Sequence, residues 1–134
     1  MEDCLDYSAA AELAGVYLED SYVLGITEEL PRLTFKIEAV LTPDSPRYHT
    51  PDPDEQYCYA MGQLVFRDVS RVAWERKSFR RYTDAEGAED MGNIDFLRRY
   101  GDHWYIGGDW GEARVFTTAQ PEFVLMDEGA ARPG

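Results

Sequence analysis

Residues 57–75 read YCYAMGQLVFRDVSRVAWE. Tyr57, Tyr59 and Met61 alternate with the small Cys58 and Ala60, the period of two that belongs to a strand packed on one face. An interior glycine packs nothing, so Gly62 marks an expected bulge or bend. Leu64 and Phe66 resume the alternation, Arg67-Asp68 supply turn chemistry, and Val72 and Trp74 share one face of a return strand. The stretch predicts a hairpin at the centre of an all-β core. It is a scaffold signal and names no chemistry.

Upstream, residues 16–26 (VYLEDSYVLGI) place Val16, Leu18, Tyr22, Leu24 and Ile26 on one strand face together with Asp20. A carboxylate on an apolar face must be paired, hydrogen-bonded or neutralised. Asp20 therefore reads either as a structural anchor, or as a residue that a bulge turns outward, or as a ligand-binding or catalytic group. Past Thr27, Glu28, Glu29 and Pro31, the residues Leu33, Phe35, Ile37, Ala39 and Leu41 alternate with Thr34, Lys36, Glu38 and Val40. These two strands are expected to form an antiparallel hairpin with one core face.

Residues 42–56 (TPDSPRYHTPDPDEQ) carry four prolines, which cannot donate to a ladder. A connection this long in a small domain is either a recognition loop, presenting Arg47, Tyr48 and His49 between acidic flanks, or a polyproline-like crossover. Residues 8–14 (SAAAELA), with Ser8 as N-cap and Gly15 just beyond the end, predict one short N-terminal helix.

Residues 76–93 set Arg76, Lys77, Arg80 and Arg81 beside Asp84, Glu86, Glu89 and Asp90, a solvated connection of opposite charges. The acidic run does not fit a helix–loop–helix calcium site, because Gly87 falls at position four rather than six when Asp84 is position one. Further strands are expected over residues 94–100, 103–106, 110–118 and 123–126, with Gly101-Asp102 and Gly107-Gly108-Asp109 as turns. The count is about eight short, mainly antiparallel strands, the pattern of a β-sandwich or a partly open barrel. One domain over residues 1–127 is expected, with a disordered tail at 128–134.

The chain has 134 residues and a formal charge of −13, from 26 acidic and 13 basic residues. Acids outnumber bases by 13 to 4 in residues 1–67 and by 13 to 9 in 68–134. A phosphate backbone needs clustered positive charge, so nucleic acid is not an expected partner. The acidity reads as solubility, or as attraction to a basic protein. No apolar run reaches the roughly 20 residues of a membrane helix. MEDCLDYSAA lacks the charged and apolar regions of a secretion signal, so a cytoplasmic location with Cys4 and Cys58 as free thiols is expected.

Chemical motifs are sparse. The chain has no nucleophile elbow, no phosphate-cradling glycine loop and no paired-histidine zinc motif, and neither cofactor nor metal is expected. Asp20 and Asp95 could flank a glycosidic bond, but 26 acids make such pairs commonplace. Trp104, Tyr105 and Trp110 near Asp95 and Asp109 resemble a sugar-binding platform; the alternative, favoured here, is that Trp104 and Trp110 fill the core.

The segments LEDSYVLGI (18–26), LVFRDVSRVAW (64–74), GNID (92–95) and GGDWG (107–111) resemble a family of small bacterial β-rich proteins. Their rhythm is also loosely similar to that of some polymorphic-toxin immunity proteins. The resemblance covers about a third of the chain and brings no catalytic residues with it. Together with the negative charge, the missing catalytic motifs and the Pro-rich loop, it points to a non-enzymatic cytoplasmic protein–protein interaction module, with acids of residues 19–55 and Tyr48 or another exposed aromatic expected at the contact. The alternative is a small-ligand or hydrolase pocket at the sandwich end, centred on Asp20, with Asp95 and Trp110 as further candidates. A homodimer through an exposed sheet edge is compatible with either.

Overall fold

The computed structural model describes residues 5–6, 15–43, 45, 48, 50, 53, 58–77, 82–83 and 89–126, with the backbone alone at residues 5, 6, 20, 82, 83, 89 and 90. The expected helix at 8–14, Cys4, Tyr57, Arg47, His49 and the tail lie outside the described residues.

The described chain is all β, and every strand pairing is antiparallel. In order the strands are β1 (Leu5–Asp6), β2 (Val16–Glu29), β3 (Arg32–Leu41), β4 (Cys58–Phe66), β5 (Arg71–Lys77), β6 (Tyr82–Thr83), β7 (Glu89–Asp90), β8 (Ile94–Arg99), β9 (His103–Gly108), β10 (Gly111–Phe116) and β11 (Glu122–Leu125). One sheet runs β1-β8-β9-β10-β5 and the other β11-β4-β3-β2, while β6 and β7 form a separate two-residue ladder. Both large sheets are open rather than closed into a barrel, and residues from each build a single buried cluster between them.

The cleanest sequence pattern gives the cleanest strand. Leu33, Phe35, Ile37, Ala39 and Leu41 of β3 are all buried. The β2–β3 hairpin forms as expected, joined by Leu30-Pro31, whose peptide is cis.

The expected β4–β5 hairpin does not form. β4 pairs with β3 and β11, whereas β5 pairs with β10 in the other sheet. Arg67–Ser70 is a crossover between layers: Asp68 takes a left-handed φ of 55°, the Val69 N–H donates to the Pro31 carbonyl at 2.8 Å, and the Ser70 N–H donates to the Phe116 carbonyl at 2.9 Å. Turn chemistry at Arg67-Asp68 was readable, but the same residues serve a hairpin or a crossover equally well.

The phase of β4 also differs from expectation. Cys58, Leu64 and Phe66 are buried in the core and Ala60 packs against it, so the small residues share the inward face and Tyr59 and Met61 do not. No bulge interrupts the β3–β4 register at Gly62. Phe123 of β11 supplies the missing bulk, and a Cβ at Gly62 would collide with its ring. This is an aromatic ring covering a strand glycine.

β2 carries two irregularities, between Tyr17 and Tyr22 and between Val23 and Gly25. Each shift moves later side chains relative to the period of two. Val16 and Leu18 are buried, but beyond the first bulge the buried residues are Ser21 and Val23. Ser21 plugs the interrupted ladder: its hydroxyl donates to the Tyr17 carbonyl at 2.8 Å and accepts the Val40 N–H at 2.9 Å.

Candidate functional site

The segments that carry Asp20, Asp95 and Trp110 converge at one corner of the sandwich. Asp20 lies within the first bulge of β2, and its side chain is outside the described residues. Beside that bulge, Val23 exchanges backbone hydrogen bonds with Met91 and Gly92, at 2.7 and 2.8 Å. Asn93 is the hub that sequence reasoning missed. Its side-chain amide donates to the Glu19 carbonyl at 2.8 Å, and its own carbonyl accepts the Trp110 indole N–H at 3.1 Å. The segments 18–26, 92–95 and 107–111 thus converge on hydrogen bonds that join the two sheets. A Cβ at Gly108 would collide with the Asn93 carbonyl, so this approach requires glycine.

Trp110 is fully buried, 5.0 Å from the Phe35 ring and edge-on to Trp74 at 6.1 Å. Trp104 is likewise buried, so both indoles fill the core as favoured above. Asp95 is the extra residue of a β8 bulge, where Ile94 and Phe96 pair with the adjacent Gly108 and Gly107. It is exposed, yet its carboxyl is held above the usual carboxylate range. Partial desolvation by its surroundings contributes most, the charge of Asp109 adds to it, and Arg76 opposes it. Tyr48 is not the exposed anchor expected; it is half-buried and packs against the core, with its N–H donating to the Ser45 carbonyl at 3.1 Å. Arg47 and His49 lie outside the described residues.

Two surfaces stand out. The first is the β2–β3 tip, where Glu28, Glu29 and Leu30 are exposed and Leu30 retains 50% of its accessible surface. The Trp74 indole N–H donates to Glu28 at 3.0 Å, which braces the tip against the edge of the five-stranded sheet. Next to it opens a cleft of about 340 Å³ lined by Glu29, Pro31, Arg32, Arg67 and Asp68. Arg67 crosses to Glu122 at 2.6 Å on a largely exposed pair, an arrangement worth at most about 1 kcal/mol.

The second surface is the outward face of the five-stranded sheet. Alternation sends Leu97, Trp104, Ile106, Ala113 and Val115 inward, and Phe96, Arg98, His103, Tyr105, Arg114 and Phe116 to the other side. The Phe96 and Tyr105 rings meet edge to face at 4.9 Å. Guanidiniums cover the rings: Arg114 over Tyr105 at 4.2 Å, Arg71 over Phe116 at 4.1 Å and Arg98 over Phe96 at 5.0 Å. Such contacts contribute about 0.5–1 kcal/mol each at exposed sites.

His103 is buried in this face between Tyr100, stacked at 5.2 Å, and Phe116 at 5.0 Å. Its Nε2 lies 2.9 Å from an Arg114 nitrogen and its Nδ1 lies 2.8 Å from Asp102 Oδ1. Arginine can only donate, so Nε2 is the acceptor and the proton sits on Nδ1, donated to Asp102. That hydrogen bond holds the Asp102 carboxyl below its ordinary range. Both ring nitrogens are engaged, which leaves neither as an open base. Tyr105 donates to Glu112 at 2.8 Å, and this hydrogen bond, with burial second, pushes the phenol up.

Among the described residues no group of three His, Cys, Asp or Glu is placed to hold a metal, and no helix is long and apolar enough to cross a membrane. Cys58 is buried. Compared with protein families, curated proteins and solved structures, the chain matches no family model, no curated protein and no solved structure.

Proposed function

We propose that the protein is a non-enzymatic cytoplasmic interaction module that holds a basic protein partner, in the manner of the immunity-type inhibitors its sequence loosely resembles. The observation that carries this reading is the β2–β3 tip, where an exposed Leu30 stands beside two exposed glutamates on a chain of charge −13. An apolar anchor ringed by polar groups is the usual anatomy of a binding hot spot, and the surrounding negative charge would accelerate encounter with a cation-rich surface. The brace from Trp74 to Glu28 fixes the tip before binding, which lowers the ordering cost of association.

The test is affinity capture from host lysate at about 0.05 and about 0.15 M salt, comparing the native chain with Leu30→Ala/Glu29→Gln. Both side chains are exposed, so the variant should keep its fold to within about 0.5 kcal/mol. The expected result is one stoichiometric basic protein on the native chain, weaker at the higher salt and lost from the variant. Retention of that protein by the variant at both salts would overturn the reading.

A further inference from the structure

The outward face of the five-stranded sheet is distinct from the hairpin tip. On the outward face of the five-stranded sheet, Arg114 has a carboxylate partner in Glu75 at 3.2 Å, and Arg76 lies 3.7 Å from Glu112. Arg71 and Arg98 are exposed and have no ion pair among the described residues; Arg71 lies over the Phe116 ring and Arg98 over the Phe96 ring. Asp102 is close enough to feel the charge of Arg71, but its hydrogen bond goes to His103.

We propose that this face docks an acidic segment of another protein, its carboxylates meeting the guanidinium edges of Arg71 and Arg98 while Phe96, Tyr105 and Phe116 underlie it. The chemistry follows from how the rings are covered. A guanidinium seated over an aromatic ring uses its face for the ring and leaves its N–H edge for a planar bidentate acceptor, and a carboxylate fits that fork. Single-stranded nucleic acid would need the ring faces open for bases to stack, and here the guanidiniums occupy them. The chain's overall negative charge does not forbid an acidic segment. At about 0.1 M salt, exposed charges more than about 10 Å apart are largely screened, so a segment lying on this face responds first to the arginines beneath it.

The experiment measures fluorescence anisotropy of a labelled octaglutamate peptide against the full chain, beside an octaglutamine peptide and an eight-nucleotide oligo-dT. Arg71→Gln/Arg98→Gln is the test variant, with circular dichroism to establish that it folds. The expected result is octaglutamate binding at least ten-fold tighter than either control, and at least five-fold weaker to the variant. Leu30→Ala/Glu29→Gln should leave this binding unchanged, which separates the face from the hairpin tip. Absent octaglutamate binding, equal binding by the arginine variant, or preference for oligo-dT would overturn the proposal. So would sedimentation as a dimer that the arginine variant dissociates, because the face would then belong to a second copy of the chain.

Discussion

The two faces of the five-stranded sheet are both rich in aromatic side chains and use them in opposite ways. Inward, Trp104 of β9 and Trp110 of the β9–β10 turn are buried, and Trp110 meets other rings and gives its N–H to a backbone carbonyl. Outward, Phe96, Tyr105 and Phe116 lie half-buried under arginines. His103, Trp104 and Tyr105 are consecutive, so adjacent rings on one strand belong to different regimes. Inside, a ring's value is the water and void it excludes; outside, it is the cation it orients. Substitutions on the inner face should therefore change stability by more than those on the outer face.

The largest effect is expected at Trp110. Trp110→Ala removes a fully buried indole, its contacts with Phe35 and Trp74, and a hydrogen bond to Asn93 at the joint between the sheets. Equilibrium urea unfolding should register a loss of about 3–5 kcal/mol. A loss below about 1 kcal/mol would mean that the corner is not what holds the sheets together, and the contrast between the faces would fail.

That corner also marks where legibility from sequence stopped. Periodicity was sufficient for β3, for the β2–β3 hairpin and for the β8–β9–β10 meander, because each is a local pattern whose partner is its neighbour in sequence. It failed at β2, where the bulges shift the parity so that Ser21 and Val23 are buried rather than Tyr22 and Leu24. It failed again at β4, where the space above Gly62 is filled by Phe123 from 61 residues away. A bulge or a borrowed ring is defined by the partner strand, which local spacing does not contain. The same limit applies to the outward face of the five-stranded sheet. The bulge at Asp95 separates Ile94, which is buried, from Phe96, which turns outward, although an uninterrupted strand would put both on one face.

An intermediate effect is expected on the outer face. Tyr105→Phe deletes only the hydroxyl that donates to Glu112, while the ring beneath Arg114 remains. The pair is partly solvated, so the expected loss is about 1 kcal/mol in urea unfolding. Octaglutamate binding should be unchanged, because Arg71 and Arg98 are untouched. A loss of several kcal/mol would show that the outer face is as tightly built as the inner one, and would erase the distinction drawn between them.

The smallest effect has the opposite sign. Asp95 sits on a bulge with its carboxyl raised by desolvation and by Asp109, against the pull of Arg76. A carboxyl whose folded pKa is raised contributes stability below its unfolded value, near pH 4, and that contribution is lost as pH rises through the folded value. At neutral pH the ionised group is therefore a small liability, and Asp95→Asn should remove it. Because Asp95 is exposed, solvent screening limits the gain to a few tenths of a kcal/mol at pH 7, and the gain should vanish near pH 3. Paired urea titrations at the two pH values check this. If the variant is instead less stable at pH 7, attraction between Asp95 and Arg76 outweighs the repulsion from Asp109. The arginines of this face would then be better compensated than their geometry implies, and the case for a docked acidic segment would weaken with them.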